Sequence, residues 1–247
     1  MNRSKAELQK NVERQMRRMF FSSTVIARYL ENTGLRELEN MRALLEDEAE
    51  VRTAARRSRL IKSANFPIIK TFDGYDFSGV RYPNNFNKDD MLSLDFISKK
   101  QGIVFYGGCG SGKTHATTAL GLMACNADFR VKFFTLSSLV MHLKNAKANG
   151  TFDHAFKLLM NQNLICIDEW GYLPLDLESG QLLFSVVSNA YERLSLIITT
   201  NLPFNEWGPM FTDEQLAAAV IDRVVHYGHL VQTGNKDWRL EHALMKG

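Results

Sequence analysis

One short stretch, Gly107-Gly108-Cys109-Gly110-Ser111-Gly112-Lys113-Thr114, constrains this chain more than any other, because it fits G-x-x-x-x-G-K-[ST] at every fixed position. It follows an apolar run, Ile103-Val104-Phe105-Tyr106, and opens a helical segment near Thr114. Strand, glycine-rich turn and helix in that order make a phosphate-binding loop; a turn with an incidental lysine lacks those flanks. Glycines let backbone N–H groups turn inward around a polyphosphate, where a Cβ would obstruct them. Lys113 can reach the β- and γ-phosphates and the Thr114 hydroxyl can ligate Mg²⁺, while His115 follows directly within the nucleotide-binding stretch. The chain is expected to bind a nucleoside triphosphate.

Around the loop the pattern alternates. Runs at 102–106, 130–134, 164–167, 195–199 and 229–232 predict strands, and stretches at 114–126, 136–148, 152–162, 178–193 and 213–225 predict helices. Strands separated by helices make βαβ units, so the expected class is α/β, with a five-stranded parallel sheet flanked by helices. Upstream, Ser4 and Glu7 form a capping box for a helix to about Phe21, a second helix covers Ser23 to Glu31, and a third, highly charged, covers Leu35 to Ile61. Residues 64–88 carry Pro67, Gly74, Gly79 and Pro83, which reads as a linker, and Asp89 or Asp90 caps a short helix after it. The expected division is a small all-helical domain over 1–63, a linker with a short helix over 64–100, and a nucleotide-binding domain over 101–247.

A phosphate-binding loop alone suits a kinase, a GTPase or a motor, so a second acidic element decides. Leu164-Ile165-Cys166-Ile167 reads as a buried strand and runs into Asp168-Glu169. At the carboxyl edge of such a strand, Asp168 can hold Mg²⁺ through its water shell. Glu169 points the other way, because strand side chains alternate, and can polarise an attacking water. A small-molecule kinase has less need of that second carboxylate, since its nucleophile is the substrate's own hydroxyl. The strand ending at Thr199 leads into Thr200-Asn201. An amide there would lie beside the other two strand ends and could hydrogen-bond the water or the γ-phosphate; Asn201-Leu202-Pro203 also makes an ordinary turn.

Taken together, the loop, the Asp-Glu strand and the Asn-ended strand resemble an AAA+ ATPase. Asp168-Glu169-Trp170-Gly171-Tyr172-Leu173-Pro174-Leu175-Asp176 resembles the signature of the IstB-like transposition helper proteins, as do Glu206-Trp207-Gly208, Leu216-Ala217-Ala218-Ala219 and Asp222-Arg223. One departure is Trp170, where the family usually has a smaller aliphatic residue; beside Glu169 it could alter water access. The resemblance implies an ATPase using ATP and Mg²⁺, stimulated by DNA or a partner. It further implies a homo-oligomer with ATP at subunit interfaces, assembly on duplex DNA, and partnership with a DDE-type transposase in target selection and strand transfer. It also implies kinship with replicative helicase loaders of the DnaC type, which is the alternative function, and with DnaA-type initiators. By position, Arg223 matches the arginine finger and Arg239, in Asp237-Trp238-Arg239, matches a nucleotide-sensing arginine; Arg239 reads equally as a surface residue of a terminal strand. With 247 residues in all, little chain follows Asn201, so the helical lid of the class is expected to be reduced or absent.

Charge is uneven. Residues 1–62 hold 14 Lys/Arg against 9 Asp/Glu, leaving 16 against 18 for the rest, from totals of 30 and 27. A basic N-terminal quarter suggests an anionic partner. Arg52, Arg56 and Arg59 recur at helical spacing and could track phosphates, or could form a solvated face, since Glu48 precedes Arg52 by one turn. Arg14, Arg17 and Arg18 offer a similar, weaker case. In the related initiators the elements after the second strand line the DNA channel, which makes Lys132, Lys144 and Lys147 the first choice for phosphate contacts. His226 and His229 are spaced by one helical turn, but Gly228 interrupts them and no metal site is expected. The odd cysteine count, Cys109, Cys125 and Cys166, without C-x-x-C spacing, and the lack of a long apolar run predict a reduced, cytoplasmic protein with no membrane span.

Overall fold

The computed structural model describes residues 2–172, 174–234 and 237–238. The chain divides into two compact units, Met1–Ser58 and Arg59–Gly247. In the first, α1 (Asn2–Arg18), α2 (Ser23–Glu31) and most of α3 (Leu35–Ala64) enclose a small core of Val12, Met16, Ile26, Leu38 and Leu45. Helix α1 begins at Asn2, so Ser4 lies inside it and not at its start. Ser22 caps α2 by accepting from the Val25 N–H at 3.4 Å. No apolar stripe runs the length of α3. Exposed pairs one turn apart, Arg52–Glu48 at 2.7 Å and Arg42–Glu46 at 3.7 Å, support it by about 0.3–0.5 kcal/mol each.

The second unit begins with two short helices, α4 (Lys88–Leu92) and α5 (Asp95–Ser98). The alternating part then reads β1 (Gly102–Tyr106), α6 (Lys113–Asn126), β2 (Val131–Thr135), α7 (Leu136–Ala148), α8 (Phe152–Met160) and β3 (Leu164–Trp170). It closes with α9 (Leu177–Ala190), β4 (Ser195–Thr200), α10 (Glu214–His226) and β5 (Gly228–Gln232). The strands form one sheet in the order β2-β3-β4-β1-β5, and every pairing is parallel.

Because strand side chains alternate, each central strand feeds two cores. Val104, Ile165, Ile167 and Ile198 join α7, α8, α9 and α10 on one face. Ile103, Phe105, Leu164, Cys166 and Ile197 join α6 on the other. Both faces are covered, which is why these strands are near-continuous apolar runs rather than polar alternations.

Residues 64–100 correct the expectation of a linker. Phe86, Met91, Leu94, Phe96 and Ile97 are buried in the α6-side core, with Phe66, Phe72, Tyr75, Phe77 and Tyr82 packed against it. The segment is part of the nucleotide-binding unit. Asn87, not Asp89 or Asp90, caps α4: its side chain accepts from the N–H groups of Asp89 and Asp90 while the Asp90 carboxylate accepts from the Asn87 N–H. Leu94, in the left-handed conformation at φ 64°, separates α4 from α5. Among the described residues no helical bundle follows β5, and no helix is long and apolar enough to cross a membrane.

Candidate active site

Sheet order assembles the site. Strand β4 lies between β1 and β3, with Thr200 in register with Tyr106 on one side and Trp170 on the other. The phosphate-binding loop after β1, the acidic end of β3 and Asn201 after β4 therefore emerge side by side at the carboxyl edge of the sheet. That edge, where neighbouring connections diverge, is the usual ligand position in such folds.

The loop is held by backbone. Gly107 N–H donates to the Thr200 carbonyl at 3.3 Å and Gly108 N–H to the Gly234 carbonyl at 3.2 Å. A Cβ on Gly107 would come within 2.5 Å of the Thr233 hydroxyl and 2.7 Å of the Gly234 carbonyl, so only glycine fits. Gly112, at φ 87°, caps α6 without any side-chain hydrogen bond. That leaves the start of α6 suited to an anion, which the helix dipole also favours. Lys113 Nζ donates to the carbonyls of Gly107 at 2.8 Å and Gly108 at 2.7 Å, which places its ammonium over the loop.

Asp168 is buried and accepts from two hydroxyls. Thr114 Oγ1 approaches its carboxylate oxygens at 3.1 and 3.0 Å, and Thr199 Oγ1 donates to Oδ1. A carboxylate beside a hydroxyl oxygen at the foot of a phosphate-binding loop is the oxygen donor set that suits Mg²⁺. Glu169 is reached by a bulge and not by simple alternation. The β3–β4 register shifts between Ile167 and Trp170, and Glu169 takes φ 61° with its side chain exposed. Its N–H donates to Thr199 Oγ1 at 3.1 Å. Bulges re-aim side chains next to active sites, and a non-glycine residue at positive φ is strain that surrounding contacts must hold. Trp170 does not face the water position: it is 0% exposed and packs on Trp207 with ring centres 4.9 Å apart.

Asn201 is half-buried, and its Oδ1 is a buried acceptor with no hydrogen-bond partner. Such an orphan is costly unless a ligand or water completes it. That observation favours the functional reading of Asn201 over the turn alone. His115 turns away from the loop, with its Nε2 2.6 Å from the Thr71 carbonyl and its ring 5.1 Å from that of Tyr75. Burial pushes the Tyr75 hydroxyl up to about 12, so it stays protonated. Its ring lies within 3.0 Å of where a Gly112 Cβ would be.

Arg223 is not at this edge. It sits near the end of α10, donates to the Ala219 carbonyl at 2.8 Å and lies over the Phe184 ring at 5.3 Å. It lines a cleft with Lys100 and Gly102, at the opening of β1, whereas the loop follows the other end of that strand. Arg239 lies outside the described residues. The lysines chosen for DNA have protein partners. Lys132 Nζ donates to the Ser63 carbonyl at 2.7 Å, and burial lowers its pKa. Lys144 pairs with Asp176 at 2.7 Å and Lys147 with Glu178 at 2.6 Å, joining α7 to the start of α9. Hydrogen bonds from Lys144 and Ser179 hold the Asp176 carboxyl well below its usual range. Arg52, Arg56 and Arg59 are exposed along α3.

Three contributors escaped the sequence reading. Thr199 tethers both acidic residues; its signal is a hydroxyl that follows the apolar run Leu196-Ile197-Ile198 at the carboxyl end of β4. Tyr172, whose hydroxyl is 3.7 Å from Cys109 Sγ, links the loop to the turn after β3. Thr233 shares a 2.7 Å hydrogen bond with Ser111. Tyr172 stands within the family-like stretch 168–176, which gives no sign of its contact with the loop, and no motif marks Thr233.

This sheet order, with its loop, acidic strand end and polar strand end, defines a P-loop ATPase of the AAA+ class. The fold is similar to that of the DnaC helicase loader (TM-score 0.51, 22% identity, covering 67% of this chain and 96% of that one). It is also similar to AMPPCP-bound DnaA from Aquifex aeolicus (TM-score 0.52, 16% identity, covering 68% and 51%). The family is narrower. The chain belongs to the IstB-like ATP binding proteins, whose family model matches residues 14–245. It is 33% identical to the insertion sequence IS232 ATP-binding protein of Bacillus thuringiensis subsp. berliner, covering 87% of this chain and 86% of that one. Its identity to the IS5376 protein of Geobacillus stearothermophilus is 32%, covering 88% and 86%. The chain is an ATP-binding ATPase of the kind associated with insertion sequences.

Proposed function

We propose that this ATPase forms homo-oligomers on duplex DNA, with ATP and Mg²⁺ clamped at the seams between subunits, and that the assembly assists a DDE-type transposase in target selection and strand transfer. The single observation that carries the reading is the place of Arg223. Strand β1 is about 13 Å long at roughly 3.3 Å per residue, and Arg223 and the loop lie at its opposite ends. The guanidinium therefore serves a neighbour's triphosphate. An arginine supplied in this way contributes about 10³–10⁵ in rate by neutralising transition-state charge.

Within one subunit the geometry supports the following roles. Thr114 and Asp168 would hold Mg²⁺, which would supply charge neutralisation to the triphosphate. Lys113 exchanges its two loop carbonyls for phosphate oxygens. Glu169 polarises the attacking water from the bulge, while Thr199 fixes its backbone and the Asp168 carboxylate. The Asn201 amide oxygen orients that water by accepting a hydrogen bond.

DNA would be held through phosphates and shape, since among the described residues no helix has the character of a base-reading element. Lys144 and Lys147 can exchange exposed carboxylate partners for phosphates at small cost, whereas Lys132 is the poorest of the three because it supports the end of α3. Helix α3 contributes Arg52, Arg56 and Arg59. The insertion-sequence relatives favour this reading over a helicase loader, whose likeness lies in the fold. Capture of the transposase rather than the replicative helicase in a pull-down is the expected distinction. Glu169→Gln protein with ATP and duplex should sediment as oligomers, and a monomer there overturns the reading. Mixing Arg223→Ala with Lys113→Ala subunits should restore activity that neither has alone.

A further inference from the structure

The turn between α1 and α2 carries a residue its geometry does not ask for. Phe20 has φ 66° and is 91% exposed. The Phe21 N–H donates to the Met16 carbonyl and the Phe20 N–H to the Arg17 carbonyl, both at 3.1 Å, so α1 ends in a Schellman motif with Phe20 at the left-handed position. Glycine or asparagine serves that position without the steric conflict between Cβ and the backbone. Phenylalanine pays it and exposes its ring to water as well. Phe21, 44% exposed, continues the apolar tip, and Val25, 46% exposed, follows on the first turn of α2.

The surroundings select the partner. Residues 14–28 contain four arginines, Arg14, Arg17, Arg18 and Arg28, and no carboxylate. All four side chains are exposed. Arg17 pairs with Glu13 at 2.8 Å, from just outside the stretch. The exposed hydroxyl residues Ser22, Ser23 and Thr24 adjoin the aromatic pair. An aromatic tip joining two helices that carry exposed arginines matches a surface with flat apolar faces behind a row of anions, which is duplex DNA. An anionic bilayer would also attract the arginines, but interfacial binding needs a broad apolar helix face, and this turn offers two rings.

We propose that Phe20, assisted by Phe21, is a wedge that inserts at a base step and kinks the duplex while Arg14, Arg17, Arg18 and Arg28 hold the flanking phosphates. This rests on the DNA assembly proposed above and adds a way to prefer easily deformed steps without reading bases. Pyrimidine–purine steps and mismatches unstack most readily, so they are the preferred sites.

The test uses the full chain with a non-hydrolysed ATP analogue and short duplexes labelled at both ends, read by energy transfer. Wild type should bend the duplex and bind one with a central mismatch about tenfold more tightly than its matched counterpart. Phe20→Asn/Phe21→Ser keeps a residue suited to the turn; it should lose the bend and the preference, yet retain the salt dependence. Arg17→Gln/Arg18→Gln should lower the salt slope by about two while leaving the mismatch preference. Cooperative thermal melting at or above the wild-type temperature shows that both variants are folded. If the phenylalanine variant bends DNA as wild type does, the wedge is wrong, and loss of binding to phosphatidylglycerol vesicles alongside unchanged bending assigns the turn to a membrane. If wild type does not bind the duplex at all, the DNA assembly fails, and the wedge fails with it.

Discussion

The two units of this chain solve the burial problem in opposite ways. In the second, a parallel sheet is covered on both faces, and aromatic residues such as Trp170, Trp207, Phe96 and Phe105 are almost wholly buried. In the first, five residues form the core, while Phe20, Leu44 and Val51 stand more than half exposed on the same few helices. A sheet with two cores fixes side chains to within fractions of an ångström, which catalysis requires. Three helices around a minimal core keep apolar and basic surface for something else.

The largest effect should come from Glu169→Gln, which lowers phosphate release about 10²–10⁴-fold while nucleotide binding, followed with a fluorescent analogue, persists. Equal loss of both would mean that Glu169 holds the fold and not the water. Trp207→Ala should cost about 3–5 kcal/mol, because removing a fully buried indole packed against Trp170 leaves a cavity. Its urea transition and its loss of nucleotide binding should coincide. Leu38→Ala, at about 2–5 kcal/mol, should unfold the small N-terminal core and spare nucleotide binding. Should Leu38→Ala abolish binding as well, the two units are one cooperative body and the contrast drawn above breaks.

Thr199→Val is close in shape and removes the hydrogen bonds to Asp168 and Glu169. A loss of about 1–3 kcal/mol of stability, with slower turnover, is expected. The smallest effect is a pH dependence. Burial first, with Lys99 opposing Asp90 in smaller measure, holds His229 below its ordinary value of 6.5. Its ring is stacked on Phe86 at 4.0 Å. The unfolded chain therefore takes up this proton before the folded one does. The contribution is complete above pH 6.5 and is lost as pH falls through the folded value. Residues 1–58 contain no histidine, so melting of the second unit should be the more sensitive between about pH 7 and 5, and His229→Gln should flatten it.

Much of the nucleotide-binding unit was legible, because parallel strands buried on both faces must be apolar runs and the helices between them must be amphipathic or buried. The loop was legible for a stricter reason: only glycines at fixed spacing allow that backbone path. The stretch 64–100 was misread, since proline, glycine and asparagine mark irregular backbone whether it is loose or packed. Its six aromatics between Phe66 and Phe86 were the overlooked sign, because a solvated linker has no use for them. The partners of Lys132, Lys144 and Lys147 were not legible, because charge in a sequence does not show which carboxylate or carbonyl the fold brings near it.

Local sequence alone determined which segments are strands and helices, which loop accepts a polyphosphate, and which residue types stand ready at the strand ends. Those properties depend on neighbours along the chain. Tertiary structure decided that β4 lies between β1 and β3, that Thr199 grips both carboxylic residues, that a bulge aims Glu169, and that Arg223 is at the far end of β1. Each of these depends on strand order and register, which are set by how all the strands and helices share two cores, and no local segment encodes that arrangement.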